Sequence, residues 1–194
     1  MARPIIWGTR IAWSALFLFF LVGRVWATET DYYEKTLEAY QVPDVSLLTQ
    51  EGKEIDLQTY LDPEKLIVLD FIFVTCTTIC PVLSVSFAYL QKQLGEDADR
   101  VQLVSITIDP DNDTPALLKE HIQKYGAQPG WDALTGTRDT IIQVLKAFDS
   151  YVSNKMDHYP LTLLRAPGQK QWVRLYGLLS ASDLRKECDQ LLQK

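Results

Sequence analysis

The stretch Leu66-Ile67-Val68-Leu69-Asp70-Phe71-Ile72-Phe73-Val74 runs directly into Thr75-Cys76-Thr77-Thr78-Ile79-Cys80-Pro81. The first nine residues are almost continuously apolar and rich in β-branched and aromatic side chains. Such a run predicts a strand buried on both faces, as in the middle of a parallel sheet. The helical pattern that follows, with Leu83, Phe87 and Leu90 on one face and Gly95 past its end, predicts a helix over Pro81 to Leu94. Two cysteines four residues apart therefore stand where a central strand gives way to a helix. In open α/β sheets this carboxyl edge is where sites form.

Working outward, Val101 to Ile108 reads as a second strand. A helix follows in which Asp113 or Thr114 caps, Pro115 takes the first position and Gly126 ends the run. Thr140 to Tyr151 predicts a third helix with Ile141, Val144, Leu145 and Phe148 inward. Leu161 to Leu164 and Trp172 to Tyr176 predict two strands joined at Pro167-Gly168, and Ser182 is placed to cap a last helix through Leu192. Upstream, Leu47 to Thr49 and Ile55 to Leu57 flank Gly52 as a small hairpin. Tyr33, Leu37 and Tyr40 have helical spacing, so residues 31 to 40 read as a short helix stopped by Pro43, within a helix or linker segment 28–42. Parallel crossovers followed by an antiparallel pair predict an α/β fold over residues 43–194: a thioredoxin-like mixed sheet flanked by helices, with an N-terminal β-hairpin.

The 194-residue chain suits one such domain, and 47% apolar residues are enough for a real core. Residues 1–27 carry Arg3, Arg10 and Arg24 and no acid. The formal charge of −6 therefore becomes 16 basic against 25 acidic groups beyond them, a net of −9. A body this acidic repels phosphate backbones and argues against nucleic acid as a partner. The basic start, the apolar run Ile11 to Val22 and the small residues Val25 and Ala27 before Thr28 have the layout of a secretory signal peptide. An uncleaved anchor reaching back toward Ile5 is the alternative, and the only membrane contact expected. Either way the domain is expected outside the cytoplasm, periplasmic or otherwise extracytoplasmic, where cysteines pair, bind metal or are kept reduced.

Cys76 and Cys80 admit three readings: a redox dithiol, half of a metal site, or a structural disulfide. The last would close so short a loop that it stabilises little. Pro81 biases Cys80 away from helical dihedrals, which predicts both thiols in a loop over the helix N-terminus, where the dipole favours thiolate. His158, in Met156-Asp157-His158-Tyr159-Pro160, precedes the strand Leu161 to Leu164, and the predicted topology brings that loop beside the thiols. Two thiolates and an imidazole make a soft three-coordinate set that suits Cu(I) and leaves zinc a ligand short. Asp157 is a candidate acceptor for fixing the imidazole tautomer.

These segments resemble the SCO/SenC copper proteins associated with cytochrome c oxidase assembly. The resemblance rests on Phe71 to Pro81 around T-C-x-x-x-C-P, Thr107-Ile108-Asp109-Pro110 through Asp113-Thr114-Pro115, Trp131 with Leu134-Thr135-Gly136, and Asp157-His158. It implies a thioredoxin-like fold, copper bound by Cys76, Cys80 and His158, and Asp109 near the metal loop. The implied role is copper delivery to the copper-bearing subunit of the oxidase, or to another periplasmic copper protein. A thiol reductant is the implied second partner, and Cys76 with Cys80 would be the redox pair of a thiol–disulfide oxidoreductase if reduction of partner thiols is the main activity. One departure is Tyr159-Pro160, where the family usually continues with Ser or Thr. Pro160 falls where thioredoxins place a cis-proline against their active-site disulfide, which would add weight to thiol exchange.

Other chemistry-bearing residues read as structural. Asp109, Asp111, Asp113 and Glu120 have the offsets of a calcium loop, but Thr114 stands where the turn wants Gly and Pro115 opens a helix. His121 lies between Leu118 and Ile122 as a partly buried or surface residue. Cys188, beside Glu187 and Asp189, is expected as a semi-buried free thiol of low reactivity.

Overall fold

All seven residues of the strand Leu66–Ile72 are buried, and the fold is laid out around it. The computed structural model describes residues 32–193; the signal peptide or anchor expected over residues 1–27 lies outside them. In chain order the elements are β1 (Glu34–Glu38), β2 (Ser46–Thr49), β3 (Glu54–Asp56), a one-turn helix α1 (Leu57–Tyr60), β4 (Leu66–Ile72), α2 (Ile79–Leu94) and a 3-10 segment (Gly95–Arg100). There follow β5 (Val101–Thr107), α3 (Pro115–Lys124), β6 (Trp131–Thr135), α4 (Arg138–Ala147), a 3-10 turn (Lys155–Asp157), β7 (Leu161–Arg165), β8 (Trp172–Tyr176) and α5 (Ala181–Leu192).

The eight strands form one mixed sheet in the order β1-β8-β7-β4-β5-β6-β2-β3. β4 pairs parallel with β5 and antiparallel with β7, β6 continues the parallel run, and the outer pairs are antiparallel. Alternation along β4 divides the core. Val68 and Ile72 face a cluster that includes Phe87, Leu90, Leu184 and Cys188 from α2 and α5. Ile67, Leu69 and Phe71 face Ile141, Val144, Leu145, Phe148 and Trp172 on the α4 side. Each such aliphatic side chain contributes about 1.5 to 3 kcal/mol by leaving water.

The expected hairpin, central strands, α2, α3 and α5 are all present, and five details differ. Residues 34–38 are a strand, not part of a helix. An isolated ten-residue helix is marginal in water, whereas β8 offers an open edge whose backbone groups β1 satisfies from Glu34 to Glu38. Tyr33 and Lys35 then tie it to α5, both reaching the buried Glu187 carboxylate. Trp131–Thr135 is a fully paired strand beside β5, whereas only its sequence motif was read. The third helix starts at Arg138 and ends at Ala147. Ser180, not Ser182, caps α5, in a capping box with Asp183. Among the described residues no peptide bond is cis, so Pro160 is a trans proline.

Gly177 ends β8 in a conformation that other residues rarely adopt, with φ +135°, and a Cβ there would meet the Tyr32 carbonyl oxygen and Tyr33 Cα at 2.9 Å. Its N–H donates to the Pro160 carbonyl at 3.0 Å, so this turn joins the sheet to the loop entering β7. Gly177→Ala is expected to cost about 2 kcal/mol, read as a lower urea midpoint with an unchanged slope.

Candidate functional site

Toward the end of β4 the pairing with β7 stops at Asp70 and that with β5 at Ile72, yet buried carbonyls must be paired. Three consecutive ones are satisfied by three different segments. The Phe71 carbonyl lies 2.8 Å from His158 Nε2, the Ile72 carbonyl accepts from Ile108 N–H at 2.8 Å, and the Phe73 carbonyl accepts from Cys76 N–H at 3.1 Å. The loop after β5 is pinned as well. Asp113 accepts from Val74 N–H at 3.1 Å and from the Thr107 hydroxyl at 2.6 Å, and Thr114 caps α3. The cysteine turn, the Asp109 loop and the histidine loop thus converge on one strand end.

Helix α2 begins at Ile79, two residues earlier than expected, and takes Cys80 into its first turn. Pro81 sits at the third helical position, where its missing N–H costs nothing because first-turn N–H groups have no partner inside the helix. Thr78, at the cap position, makes no side-chain cap. Cys76 does that work: its Sγ accepts the Cys80 N–H at 3.4 Å and lies 3.6 Å from the Thr78 hydroxyl. All three cysteines are free and buried.

The two thiols are not equivalent, contrary to the shared lowering expected of the helix dipole. For Cys76, burial is the largest single influence and opposes ionisation, but hydrogen bonds from the Cys80 thiol and N–H and from Thr78 together outweigh it. The thiol is left below its ordinary pKa. Cys80 is completely buried, and burial, followed by its hydrogen bond to Cys76, pushes its thiol far up. Burial likewise pushes Cys188 up to about 12, as its expected low reactivity requires.

His158 follows the 3-10 turn Lys155–Asp157. A carbonyl oxygen only accepts, so Nε2 carries the proton and the lone pair is on Nδ1. The tautomer is therefore set by the Phe71 backbone; Asp157, the candidate for that task, is exposed. Burial pulls the imidazole pKa down, with the Phe71 bond restoring part of it. The ring meets Phe73 edge-on at 6.4 Å and stacks on Tyr159 at 6.2 Å. Lys155 pairs with Asp109 and lies over the Phe73 ring at 5.2 Å, which fastens the histidine turn to the loop after β5. This places the buried Asp109 beside the site as a tether. His121 is buried and bonds Ser84 at 3.1 Å, a structural role.

The structure thus brings Cys76 and Cys80 into contact and docks His158 on the same strand end. Among the described residues no three His, Cys, Asp or Glu side chains are gathered closely enough to hold a metal ion. The donor set nonetheless fits a soft ion: two free thiols and an imidazole with its tautomer already chosen.

One residue escaped the sequence reading. Asp70 shares the β4 face of Val68 and Ile72, is fully buried, and neither carboxylate oxygen has a hydrogen-bond partner. Burial raises its pKa to about 7, with Ser105, its pairing partner on β5, pulling the other way. The signal was the single charge in an otherwise apolar run. Because the folded pKa exceeds the unfolded one, the native state holds the proton longer. Stability from this residue is therefore greatest below about pH 4 and declines until about pH 7, by on the order of 4 kcal/mol. Asp70→Asn should lack that decline, read from urea midpoints of both proteins at pH 5 and pH 8. Brief alkylation of the reduced protein should label Cys76 first and Cys188 only after unfolding, as peptide mapping would show.

The SCO1/SenC family model matches residues 34–178. The chain is 34% identical over 116 residues to the SCO1 protein homolog of Bacillus subtilis, covering 58% of this chain and 59% of that protein. It is 34% identical over 97 residues to the mitochondrial protein SCO2 of Saccharomyces cerevisiae, covering 50% of this chain and 32% of that one. The chain thus spans about three-fifths or less of the length of these relatives. Among solved structures, a SCO1/SenC family lipoprotein from Bacillus anthracis superposes with a TM-score of 0.67 at 28% identity, covering 80% of this chain and 97% of that one. Bradyrhizobium japonicum ScoI with copper bound gives 0.63 at 25%, covering 76% and 96%.

Proposed function

The chain belongs to the SCO1/SenC family, with a thioredoxin-like fold, and from that premise we propose that it binds copper through Cys76, Cys80 and His158 as an extracytoplasmic metallochaperone. Its cargo is destined for the binuclear copper centre of cytochrome c oxidase, with the copper-bearing subunit as acceptor. The observation that carries this reading is the strand end itself: two free cysteines joined at the start of α2 by the Cys80 N–H on the Cys76 sulfur, and an imidazole docked on the Phe71 carbonyl with its Nδ1 lone pair unspent. Soft thiolates and an imidazole are the donors that favour copper over hard cations. Copper-bound ScoI is a structural relative that retains 25% identity.

Binding requires both sulfurs as thiolates, so protons must leave and the dithiol must be reduced beforehand by a thiol reductant. Cys76 ionises more easily than an ordinary thiol. Cys80 does so only when a cation or a bond to sulfur compensates for its burial. Burial disfavours the charged form of His158, and the bond to the Phe71 carbonyl leaves the Nδ1 lone pair for the metal. The basic, apolar leader over residues 1–27 supports a periplasmic location. Among the described residues no helix is long and apolar enough to cross a membrane.

The asymmetry of the thiols favours a second reading, a thiol–disulfide oxidoreductase. Cys76, the more acidic thiol, would attack a partner disulfide and release one partner thiolate. Cys80, giving up its proton, would then attack the Cys76 sulfur, releasing the second partner thiolate and leaving a Cys76–Cys80 disulfide for the reductant. One solved relative is described as carrying a disulfide switch.

Titration of the reduced protein with Cu(I) and Cu(II) separates the two. The chaperone reading expects about one copper per chain and a large loss of affinity in both His158→Ala and Cys76→Ser. Unchanged copper binding in His158→Ala, with thiol exchange intact, would replace it by the oxidoreductase.

A further inference from the structure

Tyr159 stands beside the docked histidine, and its surroundings are more elaborate than a surface tyrosine needs. Its ring lies 6.2 Å from the His158 imidazole with only 24° between the planes, a stacked pair. Neighbours in an extended chain usually point apart, so this pairing demands a particular backbone. Pro160 helps impose it by excluding helical dihedrals at Tyr159. The hydroxyl is held from two sides: it donates to the Asp149 carbonyl at 3.0 Å and accepts from Arg174 at 3.4 Å.

Arg174, on β8, is itself fixed. It donates to the Tyr40 hydroxyl at 2.8 Å and to the carbonyls of Phe148 and Asp149 at 3.2 and 3.3 Å, and its guanidinium lies 5.9 Å from the Tyr159 ring centroid. Those two carbonyls come just after α4, where helix-end carbonyls lack partners. Asp149 has φ +49°, which turns the chain so that its carbonyl meets both Arg174 and Tyr159. Tyr176 closes against the ring at 5.3 Å. A ring gripped at its hydroxyl and supported by β8 has little freedom, and whatever stacks on it shares that restriction.

We propose that Tyr159, anchored by Arg174 and the Asp149 carbonyl, is a positioning residue for His158: it holds the imidazole plane so that Nε2 stays on the Phe71 carbonyl and Nδ1 stays presented for the metal. This rests on the copper-binding reading above. The hydrogen bond to Phe71 fixes one ring atom but leaves rotation about that contact; the stacked ring removes it. Nothing in Tyr159 binds the metal.

The test compares wild type with Tyr159→Leu, Tyr159→Phe and Arg174→Lys, each shown folded by its urea midpoint. In metal-free protein, nitrogen-15 correlations of the His158 ring should show one Nε2–H tautomer in wild type and a tautomer mixture in Tyr159→Leu. In copper-loaded protein, chelator competition should show dissociation about 10-fold faster for Tyr159→Leu, with an altered Cu(II) resonance spectrum. Tyr159→Phe, which keeps the stack and loses the anchor, and Arg174→Lys should fall between. An unchanged tautomer, dissociation rate and spectrum in Tyr159→Leu would overturn the proposal. If His158→Ala leaves wild-type copper binding intact, the copper reading fails instead, and the metal-free spectra alone decide whether Tyr159 sets the imidazole.

Discussion

A strand buried on both faces must dispose of its final carbonyls without water, and that demand organises this protein. Within β4 the ladders to β5 and β7 meet it. The ladder to β7 ends at Asp70 and that to β5 at Ile72, and Phe71, Ile72 and Phe73 are served in turn by an imidazole, by the chain leaving β5, and by the cysteine turn. An unpaired buried carbonyl would cost on the order of 1 to 3 kcal/mol, so the convergence of the three loops is enforced by backbone energetics as much as by side-chain chemistry. The functional groups are brought together by the same bonds that finish the fold.

That economy explains why the site is asymmetric. Cys76 lies at the mouth of the turn, where the Cys80 N–H in the first turn of α2 points at it. Cys80, one helical turn further in, has surrendered its N–H to Cys76 and its side chain to the core. The dipole of α2 acts on both, but burial decides the second. Beneath them Asp70 is held without a partner in the same face of the sheet, a liability that an apolar residue would avoid.

The parts of the fold legible in the sequence were those whose signal is local. Leu66 to Val74 declares a central strand, Pro115 behind Thr114 declares a helix start, and Gly52 declares a hairpin. The parts misread depend on distant partners. Residues 34–38 carry a helix-compatible pattern in Tyr33, Leu37 and Tyr40, and became a strand because β8 had an edge to fill and Glu187 a charge to share. Trp131 to Thr135 is too short for periodicity to register, yet β5 recruits it. In the site, Cys76, Cys80 and His158 were visible because thiols and imidazoles are rare here and ordered by topology. The Phe71 carbonyl was not, because a backbone acceptor leaves no letter in a sequence, and Asp157 was credited with its task.

The sulfur of Cys76 also serves as the stopper of a helix. Removing a capping acceptor elsewhere costs about 1 kcal/mol, so any partner that claims this sulfur's lone pairs competes with α2 for them. The end of the helix and the occupancy of the thiol therefore belong to a single equilibrium: a loosened first turn favours engagement, and a well-formed one favours release. The fraying of this helix and the availability of its sulfur are one property.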